Sequence, residues 1–168
     1  MPQYPLTWVP GGTCCFTISL NEPDNDLLVR HFDVLRRAMA LTRARHPLRF
    51  NAWVVLPDHM HCLWTLPRGD RNHACRWAML KHQFTRNLPV HEALGRRRRA
   101  GVWQRQQRES FIRDNADFRH HYDAIHLAPV KLGWARHARD WPYSSVHHAV
   151  RSGIYPAGWT GHVDLDGT

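Results

Sequence analysis

Two apolar runs, RFNAWVVL at 49–56 and HMHCLWTL at 59–66, stand on either side of Pro57-Asp58. β-Branched and aromatic residues make up half of the first run, and the second carries Trp64 and Thr65. A proline–aspartate pair between them presets φ and offers a side-chain acceptor to the turn, so the segment predicts a β-hairpin. Its neighbours narrow the fold. TCCFTISL at 13–20 follows Gly11-Gly12 and predicts a buried strand. After the turn and cap residues NEPDND, Leu28, Phe32, Leu35 and Met39 recur at helical spacing. That helix should end near His46-Pro47, because the residue before a proline avoids helical dihedrals. Trp77, Leu80, Phe84 and Leu88 mark a second helix over about 71–88, closed by Pro89.

Downstream, residues 91–101 carry a run of arginines between Gly95 and Gly101, which predicts a basic loop. A short extended piece at Val102-Trp103-Gln104 should precede a last helix, capped by Asp114 or Asn115 and stopping at Pro129. DWPYSS and GIYPAGW lack a helical period and are expected to wrap over the domain. This order predicts an α+β chain with a ferredoxin-like βαββαβ antiparallel sheet and helices on one face. An additional C-terminal helix and an irregular Trp/Pro-rich tail follow. With no internal repeat and no long linker, residues 1–168 form one expected domain, with about 1–12 and 140–168 as peripheral extensions.

Composition limits the partner more than the chemistry. Lysine plus arginine numbers 23 against 14 acids, a formal charge of +9 on 168 residues. A small, strongly basic domain most often meets a polyanion, with nucleic acid the leading candidate. No apolar run approaches the roughly 20 residues of a membrane span, and the N-terminus lacks a signal-peptide layout. Cys14, Cys15, Cys62 and Cys75 match no zinc-ligand spacing and are expected to be small buried hydrophobes. Extended, the adjacent Cys14 and Cys15 point to opposite faces.

Asp58-His59-Met60-His61 is the most informative short segment. Residues i and i+2 of a strand share a face, so His59 and His61 stand side by side while Met60 enters the opposite layer. Two imidazoles so placed can hold one divalent ion and leave positions open for a substrate oxygen, the arrangement of Lewis-acid catalysis. A third ligand must come from another element.

The stretch WVVLPDHMHCLW resembles the hairpin of the single-tyrosine HUH transposases of the REP-associated tyrosine transposase family. GGTCCFTISL, WQRQQRESFIRDNADFRHH, HHYDAIHLAPVKLGW and DWPYSS extend the resemblance, in order, over most of the chain. The resemblance implies DNA transposition. A tyrosine phenolate attacks a phosphodiester of single-stranded DNA beside an imperfect palindromic hairpin, leaving a 5′-phosphotyrosine link and a free 3′-hydroxyl. It also implies a histidine-held Mg²⁺ or Mn²⁺ that offsets charge on the phosphate. It further implies a bacterial, cytoplasmic, nucleoid-associated chain, monomeric or homodimeric.

The family frame in the last helix reads roughly H-x-D-Y-I-H-x-N-P-V-K, with the tyrosine as nucleophile and the asparagine as third ligand. Here the nucleophile position is Ala124 and the ligand position is Ala128. The chain as it stands is therefore expected to be catalytically disabled. Tyr122 is the alternative phenol, with His126 one turn on. Two residues along a helix rotate it by about 200°, however, away from the 124/128 face. Phe118, Tyr122 and Ile125 also form an apolar stripe, so Tyr122 is expected in the core.

For DNA contact the candidates are Arg96, Arg97, Arg98, Arg99, Arg105, Arg108, Arg113 and Lys131, with Arg36, Arg37, Arg43 and Arg45 on the first helix open to either reading. Trp103 is the candidate for stacking on an unpaired base, whereas Trp53, Trp64 and Trp77 are expected in the core. Two functions compete: a DNA-nicking and joining enzyme disabled at two positions, and a structure-specific hairpin-binding protein that kept only the fold. An RNA-binding module fits less well, since no strand carries an aromatic RNP-type run.

Overall fold

A computed structural model describes Tyr4 and residues 8–22, 25–89 and 101–159. The elements in chain order are β1 (Thr13–Ser19), α1 (Leu27–Arg30), α2 (Phe32–Arg45), β2 (Arg49–Val55), β3 (His59–Thr65), α3 (His73–Arg86), β4 (Arg108–Phe111), α4 (Asn115–Lys131) and α5 (Val146–Arg151), with a 3-10 turn at Ala138–Asp140. The four strands form an antiparallel sheet in the order β2-β3-β1-β4, the ferredoxin-like arrangement that the strand and helix order predicts.

Alternation along the strands divides the core in two. Phe16, Ile18, Met60, Cys62 and Trp64 pack with residues of α2 and α3 on one face of the sheet. Trp64 lies 4.2 Å from Trp77, and Phe16 lies within 4.9 Å of both rings by centroid distance. On the other face, Ala52, Val54 and Leu63 meet Phe118, Tyr122 and Ile125 of α4 together with Trp141, Val146 and Tyr155. Helices thus cover both faces, α4 being the additional helix beyond the βαββαβ unit. Cys14 and Cys15 fall on opposite sides, as their adjacency requires. Cys14 and Cys62 are buried; Cys15 and Cys75 are only partly so.

Several boundaries differ from the sequence expectation. The first helix breaks at His31 (φ −113°, ψ 40°) into α1 and α2. The fourth strand is Arg108–Phe111; residues 102–104 form no strand, being held by an isolated bridge from Trp103 to Leu20 and by bonds from Gln104 N–H to the Ser19 carbonyl and from Asn21 N–H to the Val102 carbonyl. All four β4 residues are exposed, so this edge strand carries no inward apolar pattern to read. Asp114 caps α4, its carboxylate accepting from Asp117 N–H at 2.7 Å.

Pro129 does not end α4. Its buried ring sits in the last turn at the loss of one backbone hydrogen bond, and the helix runs to Lys131. Gly133 makes the stop: at φ 78° it donates to Val130 O while Trp134 N–H reaches back to Pro129 O, a Schellman closure. The tail holds the six-residue α5, too short to show a period, and Trp141, Val146, Ala149 and Tyr155 enter the core.

Candidate functional site

β3 turns His59 and His61 to the α4 side of the sheet and Met60, fully buried, to the other. The two rings stand 5.0 Å apart between centroids and nearly perpendicular. Each Nδ1 is engaged: His59 Nδ1–H donates to Asp58 Oδ1 at 2.7 Å, and His61 Nδ1 is hydrogen-bonded to Thr17 Oγ1 at 2.7 Å. Nε2 is therefore the nitrogen each ring can direct to an ion, and such outer partners fix ring orientation in metal sites. Burial first, then the charges of His59 and Arg108, push the His61 pKa down to about 4. His61 is accordingly neutral at physiological pH, the form that ligates. Thr17 and Asp58 escaped the sequence reading. Asp58 was adjacent in the chain, but Thr17 becomes visible only through the strand register.

That register aligns Val54, His61, Thr17 and Arg108 in one row across all four strands. Directly paired residues share a face, so Arg108 joins the histidine side of the sheet. A basic residue thereby stands one strand beyond Thr17, where its charge is felt at His61.

On α4, Ala128 packs into the apolar cluster with Leu63 and Ile112, and Ala124 is half-buried. Neither offers more than a methyl group. Among the described residues, no group of three or more His, Cys, Asp or Glu side chains could hold an ion. Among the described residues the candidate donors are therefore the two histidines.

Tyr122 is a core side chain, 2% exposed. It meets His126 edge-on at 4.7 Å and stacks on Phe118 at 6.1 Å. Burial raises its pKa well above the usual tyrosine value, the opposite of what a nucleophile needs. Its neighbours form a network the sequence did not reveal. Asp123 accepts from Tyr155 Oη at 2.7 Å and from Tyr4 Oη at 2.9 Å; Tyr155 Oη also bonds His126 Nδ1 at 2.9 Å, and His126 Nε2 reaches Ser145 Oγ at 2.8 Å. Ser145 in turn bonds both backbone groups of Trp53. The chain ties α4 to the tail and to the β2 edge.

Burial lowers the His126 pKa to about 3. Between about pH 6.5 and 3 the unfolded chain therefore takes up a proton that folded His126 refuses, so stability falls as pH drops through that window and is level above it. His61 acts in the same sense. Urea unfolding followed from pH 7.5 to 4 should show this proton-linked loss, and His126→Gln should reduce the linkage by one proton. An unchanged slope would place His126 outside the linkage.

The proposed DNA residues divide. Arg105 and Arg108 are exposed, as is Lys131 near the end of α4. Arg113 is exposed and pairs with Asp117 at 3.5 Å. Trp103 does not fit the stacking role: it is buried against Phe84, and its Nε1 donates to Lys81 O and Thr85 Oγ1. A ring wedged on α3 has no face for a base. Arg96, Arg97, Arg98 and Arg99 lie outside the described residues.

No protein-family model matches the chain. The REP-associated tyrosine transposase of Escherichia coli strain K12 is 41% identical over 163 residues, covering 97% of this chain and 93% of its own. The chain belongs to the REP-associated tyrosine transposases. A Haemophilus influenzae relative is 39% identical over 98% of this chain and 97% of its own. A solved structure of the REP-associated tyrosine transposase bound to a REP hairpin superposes with a TM-score of 0.81 at 40% identity, covering 97% of this chain and 93% of the other. A crystal structure from Deinococcus radiodurans, 13% identical over 64% of this chain and 84% of its own, has a TM-score of 0.51 and shares the fold alone. Among the described residues of this family member, no helix is long and apolar enough to cross a membrane.

Proposed function

We propose that this chain grips a palindromic DNA hairpin with its flanking single strand and, as it stands, does not cut it. The row Val54–His61–Thr17–Arg108, facing a helix with alanine at 124 and 128, carries this reading. The relative bound to a REP hairpin supports the choice of DNA. His59 and His61 would hold a divalent ion, Mg²⁺ or Mn²⁺, through Nε2, with Asp58 and Thr17 orienting the rings. Such an ion, when bound, polarises a phosphate and offsets its developing charge. Arg108 adds a fixed positive charge on the same face, and Arg105 continues the basic edge. No phenol stands at 124 to attack, and Tyr122 is held in the core. With DNA as partner, the chain acts at the bacterial nucleoid.

Incubation with a labelled hairpin carrying a single-stranded foot and Mn²⁺ should give salt-sensitive binding and no adduct that survives denaturation. An adduct mapping to Tyr122 would overturn the assignment of a disabled site. Arg105→Ala/Arg108→Ala should weaken hairpin binding and flatten the dependence of log K on log salt by about 2, since each phosphate contact contributes roughly 0.9. Unchanged affinity and slope would remove the β4 edge from the interface.

A further inference from the structure

At the other edge of the sheet, α2, β2 and α5 enclose an open groove of about 650 Å³. Arg36 and Arg43 of α2 and Arg151 of α5 line it, and no carboxylate does. All three arginines are exposed, and none has an ion-pair partner among the described residues. Its apolar wall includes Phe32 and Trp53, half-buried rings 5.8 Å apart and inclined by 28°. Trp53 belongs to the α2 side of the sheet, while its neighbour Val54 pairs with His61 and belongs to the other. The groove is therefore separate from the histidine pair and lies across the β2 edge from it.

We propose that this groove seats single-stranded DNA, with phosphates against Arg36, Arg43 and Arg151 and unpaired bases against Phe32 and Trp53. Arg36 and Arg43 stand two helical turns apart, about 10 Å along α2. That separation suits two different phosphates along one strand better than one small anion. Half-exposed aromatic rings suit a single strand, because duplex bases hide their faces in the stack and unpaired bases do not. The absence of carboxylates from the lining leaves the positive potential undiminished. The choice of DNA rests on the hairpin-binding reading above; the single-strand character rests on the groove itself.

The test compares the chain with Arg36→Ala/Arg43→Ala/Arg151→Ala, a variant changed only at exposed positions, its fold checked by circular dichroism. The probes are labelled dT12 and a blunt hairpin lacking any single-stranded foot, read by fluorescence anisotropy. The triple variant should bind dT12 at least about tenfold more weakly, with a salt slope flatter by about 2, each single-strand phosphate contributing roughly 0.7. Its affinity for the blunt hairpin should be unchanged. Ultraviolet crosslinking of dT12 to the unsubstituted chain should mark peptides containing Phe32 or Trp53. Equal dT12 affinity and slope in the two proteins, or crosslinks confined to the β4 edge, would overturn the proposal. A chain that binds dT12 in the groove yet ignores the hairpin would refute the hairpin reading and leave the groove standing.

Discussion

Ala124→Tyr/Ala128→Asn should convert the chain into a DNA-nicking protein, detected as a covalent adduct with a labelled hairpin oligonucleotide in Mn²⁺. The rise over the unsubstituted chain should be roughly 10³-fold or more, the scale on which removal of a nucleophile ordinarily acts. The reasoning begins with helix geometry. Positions 124 and 128 are one turn apart on α4, so both substituted side chains project from one face. Ala124 is half-buried, which leaves room for a larger side chain toward solvent, and α4 packs on the sheet face that carries His59 and His61. In the attack, the phenolate oxygen forms a bond to phosphorus, the bond from phosphorus to the 3′-oxygen breaks, and that oxygen leaves as a hydroxyl after taking a proton. The introduced asparagine would add an oxygen donor to the two histidines, as the family resemblance implies.

Two further substitutions in the restored background separate the contributions. His61→Ala should abolish the adduct. Thr17→Val, which removes the hydroxyl bonded to His61 Nδ1, should lower its yield about 10–100-fold, the usual effect of losing a ligand's outer partner. If the doubly substituted chain binds the hairpin but forms no adduct, the site has lost more than two side chains, and the purely structural DNA-binding reading prevails.

Phe16→Ala should lower the unfolding free energy by about 3–5 kcal/mol, the range for deleting a fully buried aromatic ring. Phe16 is 1% exposed and lies within 4.9 Å of Trp64 and Trp77 between ring centroids. Those indoles stack on each other and cannot close over the vacated space without separating, so a cavity remains. Against a typical total of about 5–15 kcal/mol, such a loss consumes a large fraction of the stability. Urea unfolding should show a lower midpoint with the same m-value. Phe111→Ala provides the contrast: that ring is 50% exposed on β4, and its removal should shift stability by no more than about 0.5 kcal/mol. Equal effects of the two substitutions would refute the placement of Phe16 in the packed core between the sheet and α3.

Periodicity accounts for what is legible in the sequence. The helices bearing Leu35 and Trp77 repeat their apolar residues at the spacing of one buried face, and the hairpin 49–65, covered on both faces, shows as two apolar runs about Pro57-Asp58. β4 carried no such signal, because an exposed edge strand buries neither face of its four residues. Trp103 misled for a related reason: its neighbours Gln104 and Arg105 are polar, while its own ring is claimed by α3. Pro129 marked the expected end of α4, yet the backbone closure belongs to Gly133. The Asp123–Tyr155–His126–Ser145 chain joins residues up to 32 positions apart, a separation over which local spacing carries no information.

The amino-acid order alone determined that two histidines share one side of a strand, that alanines occupy 124 and 128, and that Tyr122 belongs to an apolar stripe. Each of these follows from side-chain identity and the repeat of a single element. Tertiary structure alone decided that Thr17 and Arg108 join His61 in one row, and that Trp103 is buried. It also decided that Arg36, Arg43 and Arg151 meet around two aromatic rings. Those relations depend on strand register and on which helix covers which face, and both are set by the packing of distant segments against one another.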